Sequence, residues 1–392
     1  AIRRHRRAAR AMTMADTAAV TVETRSGRRP RDRRAHIIAA AAHRFYLDGY
    51  HRVSMAEIAA DVGIGPSALY RHFSSKESML LTVLDVLLAE MEALDGDLIT
   101  ELAGFVLKHR EFGVLWQREV GHLPVENQRT LRHRVRGLAK RVGAGIDDAA
   151  DLRSWATLSV LDSPTYHHTD LDDRSVVDIL TTAVDAVSTV ALPDDQSVVD
   201  DGSVGLQPAS RREALLMIAC RLFAERGYPS VGLIDIGAAA GIAGASVYNH
   251  FASKPEVLAT ALHRGNEALW LGLHEALAHA ASATDALDRL VTHYANFSVR
   301  NPHIIAILVT QTLHLPPEYS GGLHRAQRDY VAEWVALVLS SRPDLTEAEA
   351  AVTVHAAFCL MNSLCRIHAL RSLPGHITNT ACLAKAVLGL SR

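Results

Sequence analysis

Tyr70-Arg71-His72 with Lys76 gathers a phenol, a guanidinium, an imidazole and an ammonium in one short stretch. The pattern returns 178 residues later as Tyr248-Asn249-His250 with Lys254. Groups of this kind are donors for a polyanion, and a guanidinium such as that of Arg71 can fork onto the edge of guanine or onto a phosphate. Ser54 can act both as a helix cap and as a phosphate donor. Readings in which Ser54 is only a cap and Tyr70 is partly core remain open at this point. Catalytic chemistry has little to stand on: the chain has no GxSxG, no Walker loop and no HExxH, and its 21 histidines are scattered. His167-His168 is an adjacent pair, which cannot share a helical face as i, i+4 ligands do. The sequence therefore points to no catalytic residues, no metal and no cofactor, and leaves an enzyme or a metal sensor as the weakest alternatives.

Both donor sets lie inside a longer repeat. Arg33 to Leu80 aligns with Arg211 to Leu258 without a gap, and 17 of the 48 positions are identical. Composition alone would give roughly three, so one supersecondary unit is used twice. Ile37, Ile38, Ala41 and Phe45, matched by Leu215, Leu216, Ala219 and Phe223, have the spacing of an amphipathic helix. Gly49-Tyr50 and Gly227-Tyr228 end that helix. Ser54-Met55-Ala56-Glu57 has capping-box spacing and starts a second helix, with Ile58 or Ile236 facing inward. Gly63-Ile64 and Gly241-Ile242 then turn the chain into a third, short helix containing Leu69 or Val247 and followed by Phe73 or Phe251. Ser75-Lys76 and Ser253-Lys254 cap a longer one. The whole reads as a helix-turn-helix, made twice.

The run Phe45 to Tyr50, then Ile58-Ala59, Gly63-Ile64 and Leu69 to Glu77, resembles the DNA-binding domain of TetR/AcrR-type bacterial transcriptional regulators, here in the tandem arrangement known from actinobacteria. The motifs cover about a quarter of the chain. The resemblance implies an all-α fold of two TetR-like units, each a three-helix DNA-binding domain followed by a helical ligand-binding and dimerisation domain. It implies that Tyr70, His72 and Lys76, with Tyr248, His250 and Lys254, hold phosphates. The N-terminal end of a recognition helix enters the major groove, which brings Gly65, Pro66, Ser67 and Ala68, or Gly244, Ala245 and Ser246, to bases or the adjacent backbone. The second copy has Gly232 for Ser54, Gly244 for Pro66, Ala245 for Ser67 and Asn249 for Arg71. Phosphate contacts position and base contacts specify, so this copy reads as a second head of different or weaker base preference. A copy that only scaffolds the first is the competing view.

Net charge is −2, but residues 1–34 hold eleven arginines against Asp16, Glu23 and Asp32. Such an arm can pull on phosphates or reach into the minor groove, with Arg33 and Arg34 nearest the domain; a tail without defined contacts is the plainer reading. The expected division is a basic disordered arm over 1–30, the first helix-turn-helix over 31–80, its regulatory domain over 81–192, and a Pro- and Asp-rich linker over 193–209. The second helix-turn-helix then spans 210–258 and its regulatory domain 259–392. Periodicity predicts regulatory helices near 76–95, 97–119, 126–142, 147–163 and 172–191 in the first unit. In the second they fall near 254–280, 283–299, 302–313, 321–340, 346–370 and 376–390. A second echo, Trp116 to Pro124 with Leu308 to Pro316 at offset 192, means that the second unit has gained 14 residues between motifs.

No apolar run reaches the ~20 residues of a membrane span, and the basic start lacks the apolar core of a signal peptide. Met12 and Met14 follow a start at Ala1, so the first dozen residues read as an extension. Cys220, Cys359, Cys365 and Cys382 form no CxxC pair and read as structural thiols of a reducing, cytoplasmic setting. Candidate cavity residues are Phe112, Trp116 and Trp155 with Glu119 as a polar anchor in the first unit. The second offers Trp270, Tyr294, Phe297, Gln311, Phe358 and Met361, and plain core is the alternative for each. The expected partners are double-stranded operator DNA and a small hydrophobic effector, with no membrane. If the final helix pairs pack as they do in family dimers, the chain is its own pseudo-dimer, with heads roughly 34 to 36 Å apart. A homodimer of chains is the alternative. The expected activity is that of a repressor on an asymmetric operator, and an architectural protein without effector is the runner-up.

Overall fold

The computed structural model describes residues 30–143, 150–198, 206 and 208–390. The arm before Pro30 and much of the linker lie outside the described residues, within which every regular element is helical. On α1 (Pro30–Asp48), Ile37, Ala41 and Phe45 fall one turn apart and are buried against Ile58 of α2 (Met55–Asp61), Leu69 of α3 (Pro66–Tyr70) and Phe73. The Ser54 hydroxyl accepts from the Glu57 N–H, and the Glu57 carboxylate accepts from the Ser54 N–H at 2.7 Å, closing the capping box. Gly63, at φ +66, turns the chain into α3, a conformation that a Cβ would strain. The second copy repeats the plan in α10 (Arg211–Arg226), α11 (Leu233–Ala239) and α12 (Gly244–Val247), with Phe223, Ile236, Val247 and Phe251 inside. Without a hydroxyl at Gly232 only half of the box survives there, the Gly232 N–H donating to Asp235 at 2.6 Å.

The helices that follow the first head are α4 (Lys76–Glu92), α5 (Leu98–Lys108), α6 (Glu111–Arg118), α7 (Val125–Val142), α8 (Ala150–Asp162) and α9 (Asp173–Thr189). Those that follow the second are α13 (Lys254–His279), α14 (Ala283–Arg300), α15 (Pro302–Thr310), α16 (Pro317–Ser341), α17 (Glu347–Leu364), α18 (His368–Arg371) and α19 (His376–Val387). Two expected helices are broken. The segment 97–119 divides at His109 and Arg110, where the Arg110 guanidinium donates to the carbonyls of Pro164 and His167 at 2.8 and 2.7 Å. No proline or glycine marks that break. The segment 346–370 stops at Leu364 and resumes at His368, which leaves Arg366 at a helix end. The residues gained by the second unit lengthen helices, since α13 has 26 residues to the 17 of α4 and α14 has 18 to the 11 of α5.

The two units meet through their last helices. α17 lies across α8 and α9, and α19 packs on α9. One apolar core runs through this contact, with Val160, Leu161, Leu180 and Val184 on one side and Val354, Leu360 and Leu383 on the other. Polar ties hold its edges: the Gly375 N–H donates to the Ser197 carbonyl at 2.7 Å, and the Thr378 hydroxyl donates to Asp195. The His167 ring stacks on that of His355 from the other unit, 4.4 Å between centroids. All four cysteines are free thiols. Among the described residues no helix is long and apolar enough to cross a membrane.

Candidate nucleic-acid interface and effector cavities

The exposed ends of α3 and α12 carry the residues expected to meet DNA. Gly65 caps α3 and Pro66 opens it, where a missing N–H costs nothing. Ser67, Arg71 and His72 are exposed and Ala68 is half-buried; Tyr70 is 53% and Tyr248 61% accessible, which removes the reading of either tyrosine as core. Arg33 is exposed, while the Arg34 guanidinium lies 5.3 Å from the Phe73 ring. On α12, Ala245 and Asn249 are exposed and Gly244, Ser246 and His250 half-buried. Ser54 keeps its hydroxyl at the surface, engaged with Glu57.

Lys76 and Lys254 also have partners within their own heads. The Lys76 ammonium donates to the carbonyls of Tyr50 and Val53 at 2.7 and 2.9 Å and sits 4.4 Å from the Tyr50 ring. Lys254 likewise lies 4.1 Å from the Tyr228 ring and reaches the Pro229 carbonyl at 3.5 Å. Burial pushes both ammonium pKa values down. Each lysine fastens the loop between the first two helices of its own head, a structural role beside the phosphate contact expected of it. Lys76→Ala is therefore expected to destabilise the first head by about 1–3 kcal/mol. Arg71→Ala should leave stability alone and weaken specific DNA binding by about 1–3 kcal/mol. Thermal unfolding and DNA titration of the two variants check this pair; an unshifted unfolding midpoint in Lys76→Ala would leave the lysine with a phosphate role alone.

Glu119 and Gln311 lie where each head meets the helices that follow it. Glu119, 2% accessible, is paired with Arg118 and His122; burial opposes its charge, but these partners outweigh it and hold its carboxyl below the usual range. Arg118 in turn donates to the carbonyls of Phe45 and Tyr46 at the end of α1, at 2.7 and 2.8 Å. Tyr50 stacks on His122, and His51 lies within 3.3 Å of the same imidazole. In the second unit the Gln311 carbonyl oxygen accepts from the Tyr228 N–H at 3.1 Å, and Tyr228 stacks on His314. The two echoes of the sequence, at offsets 178 and 192, thus mate with each other as matching joints between reading head and regulatory domain. Glu119, the expected polar anchor, belongs to the first joint, and Gln311 belongs to the second while also lining a cavity.

Two cavities adjoin them. The larger, of about 780 Å³, is walled in the first unit by Met91, Phe112, Trp116, Trp155 and Leu158, and reaches across to Gln311 and Arg366 of the second. The smaller, of about 270 Å³, lies within the second unit among Leu269, Tyr294, Tyr330 and Phe358, with Tyr166 of the first unit at its wall. Trp270, Phe297 and Met361 line neither. Trp270 packs edge-on to Tyr330, Phe297 stacks near His293, and Met361 has no accessible surface. Missed by sequence reasoning were the polar residues of the walls, Asn266, Gln327 and Asn362 in the smaller cavity and Asp162 and Arg366 in the larger. None belongs to either echo. Also missed was Ile234, 76% accessible beside Gly244 at the face of the second head, an apolar group of the kind that meets a thymine methyl.

The sequence profile described as bacterial regulatory proteins, tetR family, matches residues 37–83 and 215–261. The nucleoid occlusion factor SlmA of Photorhabdus laumondii is 32% identical over 124 residues, which cover 29% of this chain and 62% of that protein. The HTH-type transcriptional repressor KstR2 of Mycolicibacterium smegmatis is 46% identical over 52 residues, 13% of this chain and 25% of that one. The solved structure of the ketosteroid transcriptional regulator KstR2 of Mycobacterium tuberculosis superposes with a TM-score of 0.43 at 23% identity, over 48% of this chain and all of that one. The chain spans less than two thirds of the length of these curated relatives.

Proposed function

We propose, from the premise that this chain is a TetR-family regulatory protein carrying two TetR-like units, that it is a cytoplasmic repressor of transcription which a small hydrophobic effector releases from its operator. In this reading each unit is a reading head followed by a regulatory domain, with the basic arm leading and the acidic linker between. Arg71, Tyr70, His72 and the opening of α3 read one half-site; Tyr248, Asn249, Ser246 and the opening of α12 read another. Because the heads differ at Pro66/Gly244, Ser67/Ala245 and Arg71/Asn249, the half-sites are unlike, and one chain fills one operator as an intramolecular pseudo-dimer. What most supports this reading is the packing of α17 and α19 on α8 and α9, which pairs the units within one polypeptide. A ligand shifts such an equilibrium only by its differential affinity for the two arrangements, a coupling of about 1–3 kcal/mol.

Selection of bound fragments from the host genome, footprinting and light scattering of the complex test the proposal together. One chain on two unlike half-sites, released by a hydrophobic compound, is the expected result. A perfect palindrome occupied by two chains, each through its first unit, would overturn the pseudo-dimer. Insensitivity to every compound screened would favour an architectural protein, the second reading, to which the alignment with a nucleoid occlusion factor lends support.

A further inference from the structure

The larger cavity is built by both units, and arginines outnumber carboxylates in its lining. Arg118, Arg132 and Arg136 of the first unit and Arg226, Arg366 and Arg371 of the second all line it, while Glu225 and Asp162 are the carboxylates among its walls. Asp162 offers little compensation. Burial pushes its carboxyl up to about 7, against the opposing help of Thr165, Tyr166 and Arg366, so near neutrality it is held towards the uncharged acid. Arg366 meets a neutral partner, the side-chain oxygen of Gln117. The same lining includes the apolar and aromatic side chains of Met91, Phe112, Trp116, Trp155 and Leu158. Like charges gathered in one cleft raise its affinity for an anion, and a guanidinium forks onto a phosphate or carboxylate with paired hydrogen bonds.

We propose that this inter-unit cleft binds one amphipathic anion per chain, its apolar body among the aromatic residues of the first unit and its phosphorylated head between the arginines of both units. The proposal rests on the regulatory reading above and supplies its effector class. It also supplies a route to the reading head. Gln117 and Arg118 are neighbours on α6, one holding Arg366 of the other unit and the other holding the last carbonyls of α1. An anion that takes the Arg366 guanidinium from Gln117 thereby acts one peptide bond away from the clamp on the first head.

Titration calorimetry of the full chain with decyl phosphate, decanoate and decanol, which share one tail, tests the site without DNA. Decyl phosphate is expected to bind most tightly and decanol at least 10-fold more weakly, with the preference shrinking as salt is raised. Arg136→Gln and Arg366→Gln, one from each unit, should each cost decyl phosphate roughly 10-fold and leave decanol unchanged. Arg136 is exposed, so that variant carries little risk to the fold. Decanoyl lysophosphatidate and decanoyl-coenzyme A, run alongside, tell a lipid source of the head from a nucleotide one; a gain over decanol by either supports the site. Equal binding of decanol and decyl phosphate, no binding by any of the probes, or indifference to both substitutions overturns it. Binding of decyl phosphate by a chain that retains no genomic DNA would sink the regulatory reading and spare the cleft. The converse would do the opposite.

Discussion

Replacing Gly237 by leucine is expected to cost the chain about 10²- to 10⁴-fold in operator affinity and to erase protection from one half-site only, because two heads on one scaffold bind by avidity. The cause is local. A Cβ on Gly237 would stand 3.0 Å from the Gly244 Cα, 3.1 Å from its nitrogen and 3.1 Å from the Ile242 carbonyl oxygen. These are backbone atoms, which cannot rotate aside, so a branched side chain must drive α11 from α12 and spoil the second head. The equivalent position of the first head is Ala59, fully buried, and Ala59→Leu should erase the other half-site instead. Footprinting and DNA titration of the two variants read the outcome, and circular dichroism checks that loss of helix is confined to one head. Unchanged affinity in Gly237→Leu, beside a large loss in Ala59→Leu, would leave the second copy as scaffold alone.

Stability is expected to fall by a few kcal/mol as pH drops from about 6.5 to about 5. Burial lowers the imidazoles of His355, His314 and His376 to about 4 and that of His167 to about 2, the last helped by its neighbour His355. Below pH 6.5 the unfolded chain takes up these protons and the folded chain does not, so the equilibrium moves towards unfolding until the folded histidines titrate near 4. Each such proton is worth about 1.4 kcal/mol per pH unit. Asp162 works the other way. With its carboxyl near 7, the folded protein keeps a proton that the unfolded one has released above about 4, which offsets one histidine over the same window. Below about 4.5 the paired carboxylate of Glu119 adds a further loss on the acid side. Unfolding midpoints between pH 7.5 and 5 check the sign, and His167→Phe with His355→Phe should flatten the dependence while keeping a ring stack between the units. A midpoint that holds steady over that range would mean that water reaches these imidazoles.

Much of the fold was legible because repetition constrains it. Phe45 and Phe223, Gly63 and Gly241, and Tyr70 and Tyr248 recur at one offset, and the buried or exposed state of each pair agrees in both heads. The regulatory helices were visible as apolar periodicity, but the break at His109 and Arg110 was not, since it is made by carbonyls 54 and 57 residues away. The structural role of Lys76 was hidden for a related reason. Its place in the motif suits a phosphate contact, and only the path of the Tyr50 to Val53 loop shows that its ammonium is already engaged. The cleft was invisible from sequence because Arg132, Arg226 and Arg366 are scattered along the chain until the units pack. Trp116 and Trp155, candidates only because the family resemblance implies a cavity, do line one, whereas Met361 and Trp270, chosen on the same ground, pack in or against the core.

The pairing of α8 and α9 with α17 and α19 also sets an order of events at birth. Thr189 closes the first half of that interface, and Val387, at the end of the second half, leaves the ribosome about 200 residues later. At roughly 5–20 residues per second, that is a wait of some 10–40 s. Through it the faces of α8 and α9 that later meet α17 and α19 have no cover from their own chain. On a polysome the first surface to meet them is the same face of the preceding nascent chain. Cis pairing then depends on the second unit displacing a neighbour that arrived earlier, and slow translation of residues 190–387 would tilt that contest towards tangled pairs of chains.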